Sequence, residues 1–427
     1  MRSRRDALGG LMTVEVIGLC IAACATACVI LRPFGWHDWI FAVTGAVAIV
    51  VLGALPLSDA LHAIGEGREV YAFLIGMMLL AEVAGREGLF DHLAARAVQA
   101  AAGSARRLFL ILYLVGTGVT VFLSNDTTVV VLTPAVLAVT RHARVPPLPY
   151  LFTCAIIANA ASFVLPISNP ANLVLYHGVL PSLGDWLARL GPSAVVAVLV
   201  SYLSLRWVMR HELGTQPASC DVPVLSTGGW VAAAGLGISA VLLVTVSALG
   251  GDLGLATLGA GISVALAVSL STRRSPLPLL RQLTWGVLPL VAGLFVLVNL
   301  LEQQGLLTDL GRWLGQMAEI SPRLTAGLSG LGVGIASNLA NNLPVGLAAA
   351  AAATAGDLGH LMRDCLMIGV DLGPNLSVTG SLATLLWLAT LRLAGLHVSA
   401  LQFLWVGLRV MPPALILALL VRLCVPG

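Results

Sequence analysis

The chain of 427 residues is 58% hydrophobic and 10% charged, with 23 basic residues, 20 acidic residues and a formal charge of +3, and its mean hydropathy is +0.96. Soluble domains carry about 25% charged residues, so an ordinary water-soluble domain is excluded and a polytopic membrane protein is indicated. The small positive charge is carried by Arg without any Lys and is scattered over short loops, which leaves no footprint for nucleic acid.

In chain order, Met1-Arg2-Ser3-Arg4-Arg5 precedes an apolar stretch at 11–31. That stretch is long enough to span a bilayer, and no small-residue cleavage site separates it from the next apolar run, so a retained helix is expected rather than a signal peptide. Further spanning windows fall at 38–55, 70–86, 148–178, 191–212, 229–249, 253–271, 284–302, 361–395 and 399–425. The regions 107–142 and 323–356 differ, because in each two short apolar arms meet at an Asn-rich tip. Arms of roughly 14–18 residues predict re-entrant hairpins, with twelve full spans as the alternative to ten spans plus two hairpins. Amphipathic segments precede the hairpins at 89–103 and 305–318, and a polar linker occupies 213–228.

Laying one half on the other at an offset of 217 places Gly88-Leu89 on Gly305-Leu306, Asn125 on Asn342 and Glu82 on Asn299. Each half then reads as three spans, an amphipathic segment, a hairpin, a broken span and a last span. The expected organisation is a first repeat at 1–212, the linker at 213–228 and a second repeat at 229–427. Five spans per half is an odd number, so tandem copies are inverted, which is a plan of secondary transporters. With the N-terminus outside, cytoplasmic loops hold the larger share of arginines, among them Arg86, Arg106, Arg107, Arg141, Arg273 and Arg274, although Arg2, Arg4 and Arg5 count on the other side.

The chemistry is expected where polar clusters break the apolar runs: Ser124-Asn125-Asp126-Thr127-Thr128, Ser168-Asn169-Pro170-Ala171-Asn172, Asn338-Leu339-Ala340-Asn341-Asn342-Leu343-Pro344, and Asp371-Leu372-Gly373-Pro374-Asn375 with Thr379-Gly380-Ser381. Unsatisfied polar groups cost several kcal/mol in lipid, so such breaks persist where protein or a wet cavity surrounds them. Pro170 suits the first position of a half-helix capped by Asn169, and Pro344 is expected to act likewise after Asn342-Leu343. Thr127 or Thr128 is the expected cap of the first return arm, and Thr379-Gly380-Ser381 that of the helix after Pro374. A pocket built from Asn125, Ser168, Asn169, Asn172, Asn341, Asn342, Asn375, Thr379 and Ser381 suits a small neutral hydroxylated solute, since no Arg lies in the breaks. Asp126 and Asp371 are the carboxylates at membrane depth, where such groups mark proton relays. Glu82 stands between that role and an interfacial one.

At these residues the chain resembles the arsenite efflux permeases of the ArsB type, in an ion transporter superfamily that also includes sodium–dicarboxylate carriers. The resemblance rests on Ser124-Asn125-Asp126 with Leu132-Thr133-Pro134, Ser168-Asn169 with Asn172, Asn341-Asn342-Leu343-Pro344, and Asp371-Leu372-Gly373-Pro374 with Gly380-Ser381-Leu382-Ala383-Thr384-Leu385-Leu386-Trp387. It implies a multi-pass carrier of the bacterial inner membrane that exports arsenite, with antimonite a second expected substrate, in exchange for protons. Such carriers work alone or with a cytoplasmic ATPase subunit. Familiar relatives have Asp where this chain has Asn159 and Lys where it has Asn375, so an acid–base pair is replaced by two amides and the proton question narrows to Asp126 and Asp371.

Cys20, Cys24 and Cys28 fall on one helix face; packing of small apolar groups is expected there, and the seven cysteines form no zinc or disulfide pattern. No nucleophile–base pair or metal-ligand cluster points to an enzyme, and no cofactor is implied. The rival readings are a sodium-coupled carboxylate carrier or sodium/proton antiporter of the same superfamily, and a channel or receptor-like membrane protein without a coupled cycle.

Overall fold

A computed structural model describes residues 2–176 and 180–425. Among the described residues every regular element is helical, as a lipid-embedded chain requires when its backbone groups must be satisfied within each segment. The first half contains α1 (Arg2–Leu31), α2 (Asp38–Val51), α3 (Leu57–Glu66), α4 (Arg68–Arg86), α5 (Leu89–Ala101), α6 (Ala105–Leu123), α7 (Asn125–Thr127), α8 (Thr133–His142), α9 (Leu148–Ala160), α10 (Pro170–Leu175) and α11 (Leu183–Val208). The second contains α12 (Thr227–Ala248), α13 (Leu253–Thr272), α14 (Leu277–Gln282), α15 (Val287–Gln303), α16 (Leu306–Ile320), α17 (Pro322–Ala340), α18 (Asn342–Ala355), α19 (His360–Leu372), α20 (Leu382–Leu393) and α21 (Ala400–Cys424).

Local chemistry sets the boundaries. Ser104, Ser182, Ser226, Asp252, Ser381 and Ser399 each accept a backbone N–H from the first turn of the helix they precede, which satisfies donors that a helix start leaves free. Between α7 and α8 the chain widens into a π-helical turn, Thr128–Leu132. Pro134 has no N–H to offer the carbonyl four residues earlier, and the widened turn accommodates the missing bond.

Two groups of helices emerge from the packing. One is a panel in which α4 packs on α13, α2 on α15, α1 on α2 and α12 on α13. The other is a core in which α17 packs on α19, α11 on α21 and α6 on α9. Amphipathic α5 lies against α6 and α8, and α16 against α17 and α18; α16 is bent from α15 by 67°. The α17–α19 contact depends on glycine: a Cβ added to Gly369 would lie 2.2 Å from the Gly330 carbonyl oxygen, and one on Gly373 would lie 2.4 Å from the Gly334 Cα. Small residues allow this approach of backbones where lipid offers no hydrophobic drive for association. The linker after α11 follows α5, with Cys220 Sγ 3.9 Å from the Ala95 carbonyl and His92 Nδ1 2.7 Å from that of Pro223.

An amphipathic helix, a bent segment, a broken helix and a long last helix follow one another in α5–α11 and in α16–α21. The tips of the two bent segments share an unusual backbone: Ser124 has φ 80° and ψ 161°, and Asn341 has φ 68° and ψ 150°. Side-chain-bearing residues in that region are strained by about 1–3 kcal/mol, and these two stand at the 217 offset read from the sequence.

Three expectations are corrected. Cys20 and Cys24 are exposed on α1 rather than packed. Thr127 and Thr128 do not cap the return arm; Thr128 Oγ1 lies 2.7 Å from Thr120 Oγ1, and Thr127 Oγ1 donates to the Leu123 carbonyl, so both tie that arm to α6. The α18 cap is Asn341, whose Oδ1 accepts from Leu343 N at 3.3 Å, and Pro344 sits inside the first turn.

Candidate functional site

Four helix starts converge between the panel and the core. Asn125 and Asp126 open α7, Pro170 and Ala171 open α10, Asn342 and Leu343 open α18, and Leu382 and Ala383 open α20. Together with Asn169 and with Leu74, Val287, Leu290 and Val291 from the panel, they line a small cavity. The positive ends of four helices and four amide or carboxyl side chains thus meet at the junction of the breaks. The cavity wall carries one carboxylate, Asp126, and no basic side chain.

A larger vestibule shares Leu74, Asp126, Pro170, Val287 and Leu382 with this cavity. It extends past Met77 and Met78 to Glu82 on α4 and to Gln282 and Thr284 beside α14. Asp126 therefore stands where the vestibule enters the inner cavity, and Glu82 stands further out along the same path. The Glu82 carboxylate is 3.9 Å from Arg86, one turn along α4.

Asn169 joins the cavity to the second carboxylate. Its Oδ1 caps α10 by accepting from Ala171 N at 3.1 Å, and its Nδ2 donates to Asp371 Oδ1 at 2.6 Å. Asp371 is fully buried at the end of α19, and its Oδ2 has no hydrogen-bond partner. The neighbouring Ser162 hydroxyl instead donates to the Asn159 carbonyl at 2.8 Å. A buried carboxylate oxygen left free is a strong acceptor for a proton or a cation.

The remaining sequence-selected residues hold the breaks together. Ser168 donates to the Val121 carbonyl at 3.0 Å and accepts from Leu165 N at 3.2 Å, fastening the α9–α10 break to α6. Asn172 donates to the carbonyls of Ser162 at 2.8 Å and Leu165 at 3.3 Å, leaving its Oδ1 buried without a partner. Thr379 donates to the Asn338 carbonyl at 2.8 Å, Asn341 caps α18 and Ser381 caps α20 by accepting from Thr384 N at 3.1 Å. Asn375 accepts from Asn159 Nδ2 at 3.0 Å and donates to the Ile156 carbonyl at 3.0 Å. The two amides singled out as departures are thus in direct contact.

Sequence reasoning passed over Asn338. Its Nδ2 donates to the carbonyls of Gly334 at 2.7 Å and Gly373 at 2.9 Å, while its Oδ1 accepts from both the backbone N–H and the hydroxyl of Ser377. It stitches α17 to the break after α19, and the signal was its place in the third polar cluster. Sequence reasoning also passed over Arg189, Asp364 and Arg422, which are buried together.

Comparison with known proteins agrees with a transporter. The chain is 28% identical over 383 residues to an uncharacterised transporter of Mycobacterium tuberculosis, covering 85% of this chain and 87% of the relative. It is 25% identical to an uncharacterised transporter of Synechocystis, covering 90% and 92%, and 24% identical to an arsenical pump membrane protein of Escherichia coli, covering 85% and 88%. Among solved structures, the YdaH transporter of Alcanivorax borkumensis shares the fold with a TM-score of 0.54 at 14% identity, covering 86% of each chain. A family model described as citrate transporter matches residues 26–369, and the chain is a membrane transporter that belongs to this citrate transporter (CitMHS) family.

Proposed function

We propose that the protein is a secondary active transporter that exports trivalent arsenic, as arsenite and by the same chemistry antimonite, from the cytoplasm in exchange for protons. The observation that carries this reading is the inner cavity, which combines Asn125, Asn169, Asn342 and Asp126 with no basic side chain. A multiply charged anion such as citrate would meet the Asp126 carboxylate without a compensating cation, whereas neutral arsenous acid offers hydroxyls that the amides and helix N-termini can satisfy. The likeness to the arsenical pump membrane protein supports the same substrate class.

In this mechanism the two repeats are inverted and the vestibule opens to the cytoplasm, on the arginine-rich side. Arsenous acid passes Glu82, reaches Asp126 and is held by Asn125, Asn169 and Asn342. Protonation of Asp126 or Asp371 from outside returns the carrier; Asp371 acts through Asn169, whose amide links it to the cavity. Movement of a neutral solute against protons makes the exchange electrogenic. Everted inner-membrane vesicles test this: an imposed pH gradient should drive arsenite uptake, and Asp126→Asn should abolish that uptake while the protein still assembles in the membrane. Retention of pH-driven uptake by Asp126→Asn removes the residue from the coupling role.

A sodium-coupled carboxylate carrier is the second reading. It is favoured by the family match and by the four helix starts facing the cavity, a geometry suited to anionic groups. Sodium-dependent citrate uptake by the purified protein in liposomes, without arsenite transport, would establish it in place of the first.

A further inference from the structure

A second polar cluster lies apart from the central cavity. Tyr176 follows α10, Arg189 lies on α11, Asp364 on α19 and Arg422 on α21. Arg422 Nε donates to Asp364 Oδ2 at 2.8 Å, Arg189 Nε is 3.5 Å from the same oxygen, and the Tyr176 hydroxyl donates to Asp364 Oδ1. Arg422 Nη1 reaches the Val425 carbonyl at 3.0 Å. Asp364 and Arg422 are 0% exposed and Arg189 is 8% exposed.

Two guanidinium groups face one carboxylate, and among the described residues no other acid forms an ion pair with either arginine. The cluster therefore carries a net charge of about +1 in a buried setting, where an uncompensated charge is costly. Three donors in it, Arg189 Nε, Arg189 Nη2 and Arg422 Nη2, are buried without a hydrogen-bond partner. The excess charge and the unused donors belong to the same two side chains.

We propose that this cluster is a binding site for a small monovalent anion of the chloride class, held between Arg189 and Arg422. Such an anion neutralises the excess charge and accepts from the unused N–H groups, as charge-assisted bonds to guanidinium do. The near-complete burial suits a monatomic ion rather than a solute carboxylate, and none of the four residues lines the central cavity. Its place gives it a structural consequence. α10 and α19 pack together and are joined at one end by Asn169–Asp371 and at the other by Tyr176–Asp364, so the anion holds the register of the two half-helices that present Asn169 and Asp371.

The test is thermal unfolding of the purified full-length protein in detergent at constant ionic strength, with chloride or bromide replacing gluconate. The midpoint should rise saturably with either halide. Arg189→Gln removes the excess charge and should weaken the apparent halide affinity by at least about tenfold, whereas Arg189→Lys should keep a measurable halide response. A wild-type midpoint that is the same in chloride and gluconate overturns the proposal, as does an unchanged halide titration in Arg189→Gln. If that variant fails to fold, crystals of the wild-type protein grown in bromide decide the matter: an anomalous peak between Arg189 and Arg422 supports the site, and its absence overturns it.

Discussion

The Asn159–Asn375 contact makes a sharp energetic prediction. Both residues are at most 1% exposed, their amides meet at 3.0 Å, and Asn159 Oδ1 has no partner. Asn159→Asp alone places a carboxyl there with no cation beside it. Escaping the charge by holding a proton at pH 7, from a reference value of about 3.9, costs about 4 kcal/mol. Asn375→Lys alone must shed a proton from a reference value of about 10.4, which costs about 5 kcal/mol. Both figures fall in the range for leaving one member of a buried pair alone, about 3–5 kcal/mol. The double variant restores opposite charges across the same contact, so its loss should be smaller than the sum of the single losses by at least about 3 kcal/mol. Reversible denaturant unfolding of the four proteins measures this coupling, and simple additivity would refute the assignment of these positions as an exchangeable acid–base pair.

Other variants separate the scaffold of the breaks from the cavity wall. Ser168→Ala leaves the Val121 carbonyl and Leu165 N–H without their shared partner and should cost about 2–3 kcal/mol in unfolding free energy, with the KM for solute unchanged in liposomes. Gly369→Ala drives a Cβ into the Gly330 carbonyl and should destabilise the protein by about 2–3 kcal/mol, read as a lower unfolding midpoint. Asn341→Ala loses the α18 cap and keeps the strained φ of 68°, a cost of about 1–2 kcal/mol. Asn341→Gly loses the cap but relieves the strain, and should equal or exceed the wild type in thermal stability.

The fold was legible where physics acts locally. Six of the described helices are long and apolar enough to cross a bilayer; five of them coincide with hydropathy windows, while α6 lies in the region read as the first hairpin. The spacing of Asn, Ser and Pro located all four breaks, because proline and capping side chains act within a turn of their own position. The roles of individual polar side chains were less legible. Ser168, Asn172 and Thr379 look from sequence like solute ligands, yet each is bonded to a backbone carbonyl that the break would otherwise leave unpaired. An amide or hydroxyl at membrane depth serves a solute or the backbone according to where its rotamer points, and only tertiary packing decides that. The cap of α18 fell at Asn341, because the sharp bend comes two residues earlier than a proline in the first helical position would place it. The buried Arg189–Asp364–Arg422 cluster joins three helices separated by long stretches of chain, and nothing in local spacing connects them.

The two tips share a backbone but not a chemistry. At the 217 offset Asp126 corresponds to Leu343, and Glu82 to Asn299. The vestibule beside the first tip accordingly carries two carboxylates. Beside the second tip lies a cavity lined by Leu19, Leu297, Leu339, Pro344 and Val345 among other chiefly apolar groups. A charged group entering the second cavity would find little polar compensation, while a neutral solute would lose only its hydrogen bonds with water. Exchange of a neutral hydroxide against protons fits this asymmetry, since charge need be borne only by the first tip and by Asp371, which Asn169 holds next to the shared cavity. Val345→Asp places a carboxylate in the second cavity. It should reduce arsenite exchange, and the loss should ease as the pH is lowered and the added group is neutralised; an unchanged rate from pH 6 to pH 8 would refute the argument.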